Sequence, residues 1–218
     1  MIKHQLEGLG INGYVEEPNN KKGPGIIVLH AWWGLNDFIG HFCKKLANEG
    51  YFVVAPDLYN GKIANTIKQA EGLVEKVDRK VVNPILTKTV DFIVNNEDCT
   101  SSTISVIGFS LGASWASWLA NTKPNEIEKV VLFYGTGEAN FTNSKASFLC
   151  HFAEDDPYEE SKYIEYFLDA MKKANLKVSD YVYPDTHHWF FESDKKEHFR
   201  KDASDLAWKR TLEFLKNT

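Results

Sequence analysis

From Gly25 to His30 the chain reads Gly-Ile-Ile-Val-Leu-His, an unbroken apolar run framed by Pro24 and by Gly34. That pattern predicts a strand buried on both faces. Residues 37–49 then place Phe38, Ile39, Phe42, Cys43 and Leu46 on one helical stripe. Residues 51–56, Tyr-Phe-Val-Val-Ala-Pro, predict the next strand, ended by Pro56. The stretch 62–96 reads as helix with a break near Asn83-Pro84, where Asn83 suits an N-cap and Pro84 the first helical position. Ile85, Leu86, Thr89, Val90 and Ile93 continue on one face beyond it.

The alternation carries on to the end of the chain. Strands are predicted at 103–108, 129–135, 146–152 and 177–184, and helices at 111–121, 158–174 and 199–216. The helix over 158–174 carries Tyr163, Phe167 and Met171, and the last one shows Trp208, Leu212 and Leu215. No repeat or long linker interrupts this order. It predicts the α/β class, as one domain over residues 1–218, with a mostly parallel sheet and helices on both faces. Ligands of such sheets bind outside the carboxyl ends of the strands, so polar residues just after strands are the ones to weigh.

Composition narrows the chemistry. The 218 residues are 43% hydrophobic and 13% aromatic, as in an ordered globular chain. A formal net charge of −5 and the lack of a basic face argue against nucleic acid as a partner. The N-terminal stretch has no apolar core of the kind that directs secretion or spans a membrane. Cys43, Cys99 and Cys150 are odd in number and far apart, which fits neither a disulfide framework nor a metal pair. A reducing cytoplasm is the expected compartment. Oligomeric state is left open, a monomer being compatible with everything above.

The segment Gly108-Phe109-Ser110-Leu111-Gly112 joins a predicted strand to a predicted helix. A sharp strand-to-helix turn lifts its central hydroxyl clear of the backbone and crowds the positions two before and two after, where glycine fits. It also sets the Leu111 amide toward a developing oxyanion. The competing reading is a serine that merely caps the helix.

A serine hydroxyl needs a base. In this arrangement the chain order is serine, acid, histidine. Of the histidines after Ser110, His187 and His188 follow the last predicted strand, while His151 falls within a strand and His198 begins a helix. Glu154, Asp155 and Asp156 follow a strand and precede a helix; any of them can orient an imidazole, or simply cap that helix. Spacing alone leaves both choices open.

Taken in order, the segments VLHAWWGLND, VVAPDLYNGK, VIGFSLGAS, HFAEDDPY and YPDTHHWF resemble the dienelactone hydrolase family of α/β-hydrolases over nearly the whole chain. The resemblance implies the α/β-hydrolase fold. It singles out Asp156, ahead of Pro157-Tyr158, as the acid and His188, between Tyr183 and Phe190, as the base. It adds the Trp32 amide as a second oxyanion donor. Trp33 and Trp189, with Trp32, would then ring the site and contact substrate, unless they simply pack the loop and core.

The departures from the family matter too. The dienelactone enzymes use a cysteine nucleophile, where this chain has Ser110, and their thiol-switching acid falls here on Ala31. Their carboxylate-binding arginine falls on Glu192, whose charge is expected to repel an anionic substrate. The reading that follows is a serine hydrolase of a carboxylic ester, lactone or thioester, using Ser110, His188 and Asp156 with no metal or organic cofactor. Its alternatives are a non-catalytic binding protein on this fold and an acyltransferase.

Overall fold

The apolar runs become the inner strands of an eight-stranded sheet. A computed structural model describes residues 4–6 and 10–217. Its strands are β1 (His4–Leu6), β2 (Ile11–Glu16), β3 (Gly25–Leu29), β4 (Phe52–Pro56), β5 (Ile104–Phe109), β6 (Ile127–Phe133), β7 (Ser147–Asp155) and β8 (Val178–His187). They lie in the order β1-β2-β4-β3-β5-β6-β7-β8. The helices are α1 (Asp37–Asn48), α2 (Ile67–Val74), α3 (Arg79–Val94), α4 (Leu111–Thr122), α5 (Ser161–Lys173) and α6 (Lys201–Lys216). Among the described residues no helix is long and apolar enough to cross a membrane.

The chain forms two compact units, Met1–Val106 with Asn125–Ile127, and Ile107–Pro124 with Glu128–Thr218. In the first, β3 and β4 are parallel and every residue of both is buried. This is why their sequences are solidly apolar and not alternating. The chain steps from β3 to β4 in one direction and back past β3 to β5 in the other. Right-handed crossovers therefore set α1 and α3 on opposite faces. β1 and β2 add an antiparallel edge, with Gly13 where a side chain would stand 2.6 Å from the Ala55 carbonyl oxygen.

The second unit carries β6, β7 and β8 in parallel register, Phe133 opposite His151 and Ala153 opposite Tyr183. Beyond Ala153 an irregularity shifts that register so that Asp155 stands opposite His187. β7 thus runs past the predicted end at 152 and carries an acidic tail to the carboxyl edge of the sheet.

Two expectations need correction, the place of the helix break with its cap and the position of Pro84. The stretch 62–96 is two helices parted at residues 75–78, and the cap of the second is Asp78, whose side chain accepts from the Lys80 amide. Pro84 lies inside α3 on its exposed side, where water can serve the carbonyl that its missing N–H leaves. In α5, Phe167 and Met171 are buried but Tyr163 is exposed.

Candidate active site

The first side chain of the site is fixed by backbone. β5 ends at Phe109 and α4 begins at Leu111, so the whole turn falls on Ser110, at φ 49° and ψ −114°. A non-glycine residue there carries about 1–3 kcal/mol of strain. A Cβ at Gly108 would stand 2.4 Å from the Gly112 carbonyl oxygen, so a side chain cannot fit. The Ser110 amide donates to the Phe133 carbonyl at 2.9 Å, which ties the turn to the end of β6. Its hydroxyl makes no capping bond to the helix. Capping therefore does not account for this serine.

The hydroxyl instead meets a histidine. His188 Nε2 lies 2.8 Å from Ser110 Oγ, and His188 Nδ1 lies 2.7 Å and 2.9 Å from the two Asp156 carboxylate oxygens. A carboxylate only accepts, so Nδ1 carries the hydrogen and Nε2 is left to accept from the serine. Asp156 is held in turn by the amides of Tyr158 at 2.9 Å and Glu159 at 3.2 Å. The side chains of His188 and Asp156 are 2% and 3% exposed, a setting in which hydrogen bonds to charge are strong.

The residues weighed against them do other work. His187 pairs with Asp155 by Nδ1 to Oδ2 at 3.2 Å, at the protein surface. Glu154 accepts from the Asp185 amide at 3.0 Å. His151 is buried between the Tyr183 hydroxyl at 2.8 Å and Thr211 Oγ1 at 3.0 Å, and burial, then Arg210, pushes its pKa down to about 3. His198 lies in the turn before α6 with its ring 5.0 Å from that of Trp189. Cys43 and Cys150 are buried, and burial pushes both thiols up in pKa, which makes them poor nucleophiles.

Aromatic rings pack around the histidine. Tyr158 lies 5.1 Å from both His188 and Trp189, and Trp189 lies 5.0 Å edge-on to His188. Trp189 is buried among these rings at φ 68°. In the other unit, Trp32 and Trp33 form the turn directly after β3, with rings 5.5 Å apart, Trp33 buried and Trp32 half-buried. That turn is pinned by His30, which donates from Nδ1 to the Ala31 carbonyl at 2.7 Å and accepts the Leu58 amide at Nε2. The segment after β4 folds with α2 and α3 around a cavity of about 190 Å³ lined by Leu58, Tyr59, Lys62, Leu73, Lys76 and Val82, among others.

The surroundings of two acidic residues could not be read from the sequence. Glu159 takes the Thr136 amide at 3.1 Å and the Thr136 hydroxyl at 2.8 Å, linking the turn after β7 to the loop after β6. Glu192 is not at the surface. It is 1% exposed and accepts from the Tyr134 hydroxyl at 2.9 Å. A charge presented to substrate was the basis for expecting it to repel anions, and its burial removes that basis. Among the described residues no group of three or more metal-ligating side chains comes together.

A mostly parallel sheet with a serine on a strained strand-to-helix turn and a histidine just past its last strand defines the α/β-hydrolase class. Within that class the chain belongs to the dienelactone hydrolase family, whose profile matches residues 11–218. It is 27% identical over 227 residues to "Protein usf" of Aquifex pyrophilus, covering 99% of this chain and 97% of that one. It is 25% identical over 225 residues to a protein of Aquifex aeolicus named "Putative carboxymethylenebutenolidase", again over 99% and 97%. The crystal structure of P91, a dienelactone hydrolase-like promiscuous phosphotriesterase from metagenomic libraries, superposes with a TM-score of 0.85 at 18% identity, over 97% of this chain and 94% of that one. Family membership points to hydrolase activity on esters or lactones.

Proposed function

We propose that the chain is a serine hydrolase that cleaves a carboxylic ester, lactone or thioester through an acyl-enzyme. The observation that carries this reading is the continuous hydrogen-bonded row from Ser110 through His188 to Asp156. In the proposed cycle Ser110 Oγ attacks the carbonyl carbon while its proton passes to His188 Nε2. Asp156 holds the ring by Nδ1 and stabilises the imidazolium. The tetrahedral oxyanion is met by the amide of Leu111, the first residue of α4, where the helix dipole also favours negative charge. Resemblance to the family adds the Trp32 amide as a second donor.

The oxyanion collapses, the bond to the leaving oxygen or sulfur breaks, and that atom takes the proton from His188. Water then gives its proton to His188 and attacks the acyl carbon, releasing the acid and restoring Ser110. The scheme calls for no metal or organic cofactor. Trp189, buried with its ring 5.0 Å from that of His188, is proposed to contact substrate, and resemblance to the family adds Trp33. With Glu192 buried, a carboxylate on the substrate is no obstacle, so anionic lactones stay within the class.

Turnover of short aryl esters, thioesters and lactones by the wild type and by Ser110→Ala tests the reading. Loss of turnover in a variant with unchanged thermal unfolding is expected; retained turnover overturns it.

A further inference from the structure

Behind the serine and the histidine runs one short segment, Phe133-Tyr134-Gly135, that touches both. Phe133 accepts the Ser110 amide. Gly135 lies so close that a Cβ on it would stand 2.5 Å from the Ser110 carbonyl oxygen. Between them Tyr134 turns its ring against His188, with centroids 5.0 Å apart. Its backbone is held at φ 36°, a region costly for a tyrosine, and its amide donates to the His151 carbonyl at 2.7 Å. A strained residue persists only where its surroundings over-determine it. At the far end of the Tyr134 ring, the restraint is Glu192.

Glu192 and Tyr134 are both fully enclosed, 1% and 0% exposed. Glu192 sits in the segment that also bears the base, four residues after His188, and its amide donates to the Trp189 carbonyl at 2.9 Å. The carboxyl thus ties the His188 loop to the Tyr134 ring, and that ring packs obliquely against the imidazole, with 60° between planes, where its bulk limits how far the imidazole can swing. An apolar pair would fill the same space without the cost of burying a carboxyl. What the polar pair adds is one fixed ring position.

Resting on the hydrolase reading for its consequence, we propose that Tyr134 and Glu192 are positioning residues, whose hydrogen bond fixes the imidazole plane in which His188 bridges Asp156 and Ser110. The groups that bear on the pair are known. Asp194 and Lys195 act from the same loop as Glu192, Asp156 acts from the turn after β7, and His188 lies against the ring itself. Burial, with Asp194 adding and the Tyr134 bond and Lys195 opposing, pushes the Glu192 carboxyl up to about 8. At neutral pH the carboxyl is therefore largely un-ionised, and its ionisation in the alkaline range puts a charge into the core.

The test compares wild type, Tyr134→Phe, Glu192→Ala and Glu192→Gln. With a short aryl ester, Tyr134→Phe and Glu192→Ala are expected to lower kcat by about tenfold with KM within about twofold, since small misplacements of a reacting group act on the chemical step. Glu192→Gln keeps an acceptor for the Tyr134 hydroxyl, so kcat is rescued; the wild type is expected to lose kcat/KM as pH rises through about 8, and Glu192→Gln is expected not to. Imidazole NMR of His188 gives a second readout that needs no turnover. The Nδ1–H resonance is expected to shift or exchange faster in Tyr134→Phe and Glu192→Ala but not in Glu192→Gln. Unchanged kcat and unchanged His188 resonances, with only a lowered Tm, would overturn the proposal. If the wild type turns over no ester, the hydrolase reading fails and the NMR comparison still decides the positioning role.

Discussion

Asp155 and His187 stand opposite each other across β7 and β8, one residue ahead of Asp156 and His188 on the same two chain segments. The outer pair is open to water, with Asp155 79% exposed on its side chain, while the inner pair is buried and reaches Ser110. Two chemically alike pairs thus differ in burial and in the connection to the serine.

Asp156→Asn is expected to lower kcat by about a thousandfold or more, because an amide can donate to Nδ1 and so favours the wrong tautomer. Asp155→Asn removes an exposed ion pair of the kind worth about 0–1 kcal/mol and is expected to leave kcat within about twofold. Equal losses from the two variants, measured on one ester at one pH, would place the acid elsewhere.

The turn at Ser110 makes a second prediction, about space. Gly108→Ala drives a methyl to 2.4 Å from the Gly112 carbonyl oxygen, and Gly135→Ala drives one to 2.9 Å from the Ser110 Cα. Each is expected to lower stability by about 1–3 kcal/mol, as overpacking does. Gly135→Ala should also lower kcat, since the atoms it displaces belong to the nucleophile. Urea unfolding beside ester kinetics checks both, and two fully stable, fully active variants would contradict the geometry.

His151 couples folding to pH. Its pKa is lowered on folding from 6.5 to about 3, so between those values the unfolded chain binds the extra proton. Stability from this group is present above about pH 6.5 and is lost as pH falls toward 3. The stability difference between wild type and His151→Asn, from urea midpoints, should therefore be larger at pH 7 than at pH 4. A difference that does not change with pH would mean that folding leaves the His151 pKa unshifted. Glu192 runs the opposite way. Raised from 4.5 to about 8, it costs stability as pH rises through that window, so Glu192→Gln should gain on the wild type from pH 5 to pH 8.

What could be read from the sequence follows from what was buried on two faces. β3, β4 and β5 are solid apolar runs because helices or loops cover both sides, and the turn at Ser110 announces itself by its two glycines. β1 and β2 escaped notice because they form an edge where Asn12 and Gly13 break the alternation, and Gly13 is there for a close backbone approach that only the fold reveals. The tail of β7 was hidden by its charges. Glu154 and Asp155 look like loop residues until β8 pairs beside them. Pro84 drew the helix break to itself, while the actual break needed only the side chain of Asp78. At the site, chain order reduced the base and the acid to small sets, and resemblance chose within them. Glu192 could not be placed from sequence, because an acidic residue in a polar stretch gives no sign of a buried tyrosine hydroxyl 58 positions earlier.

The most direct test of the central claim is intact mass after exposure to a fluorophosphonate probe, for the wild type beside Ser110→Ala. A single adduct on the wild type and none on the variant is the predicted result, since His188 leaves Ser110 able to attack phosphorus. No adduct on a folded wild type, or an adduct that survives in Ser110→Ala, would contradict the account.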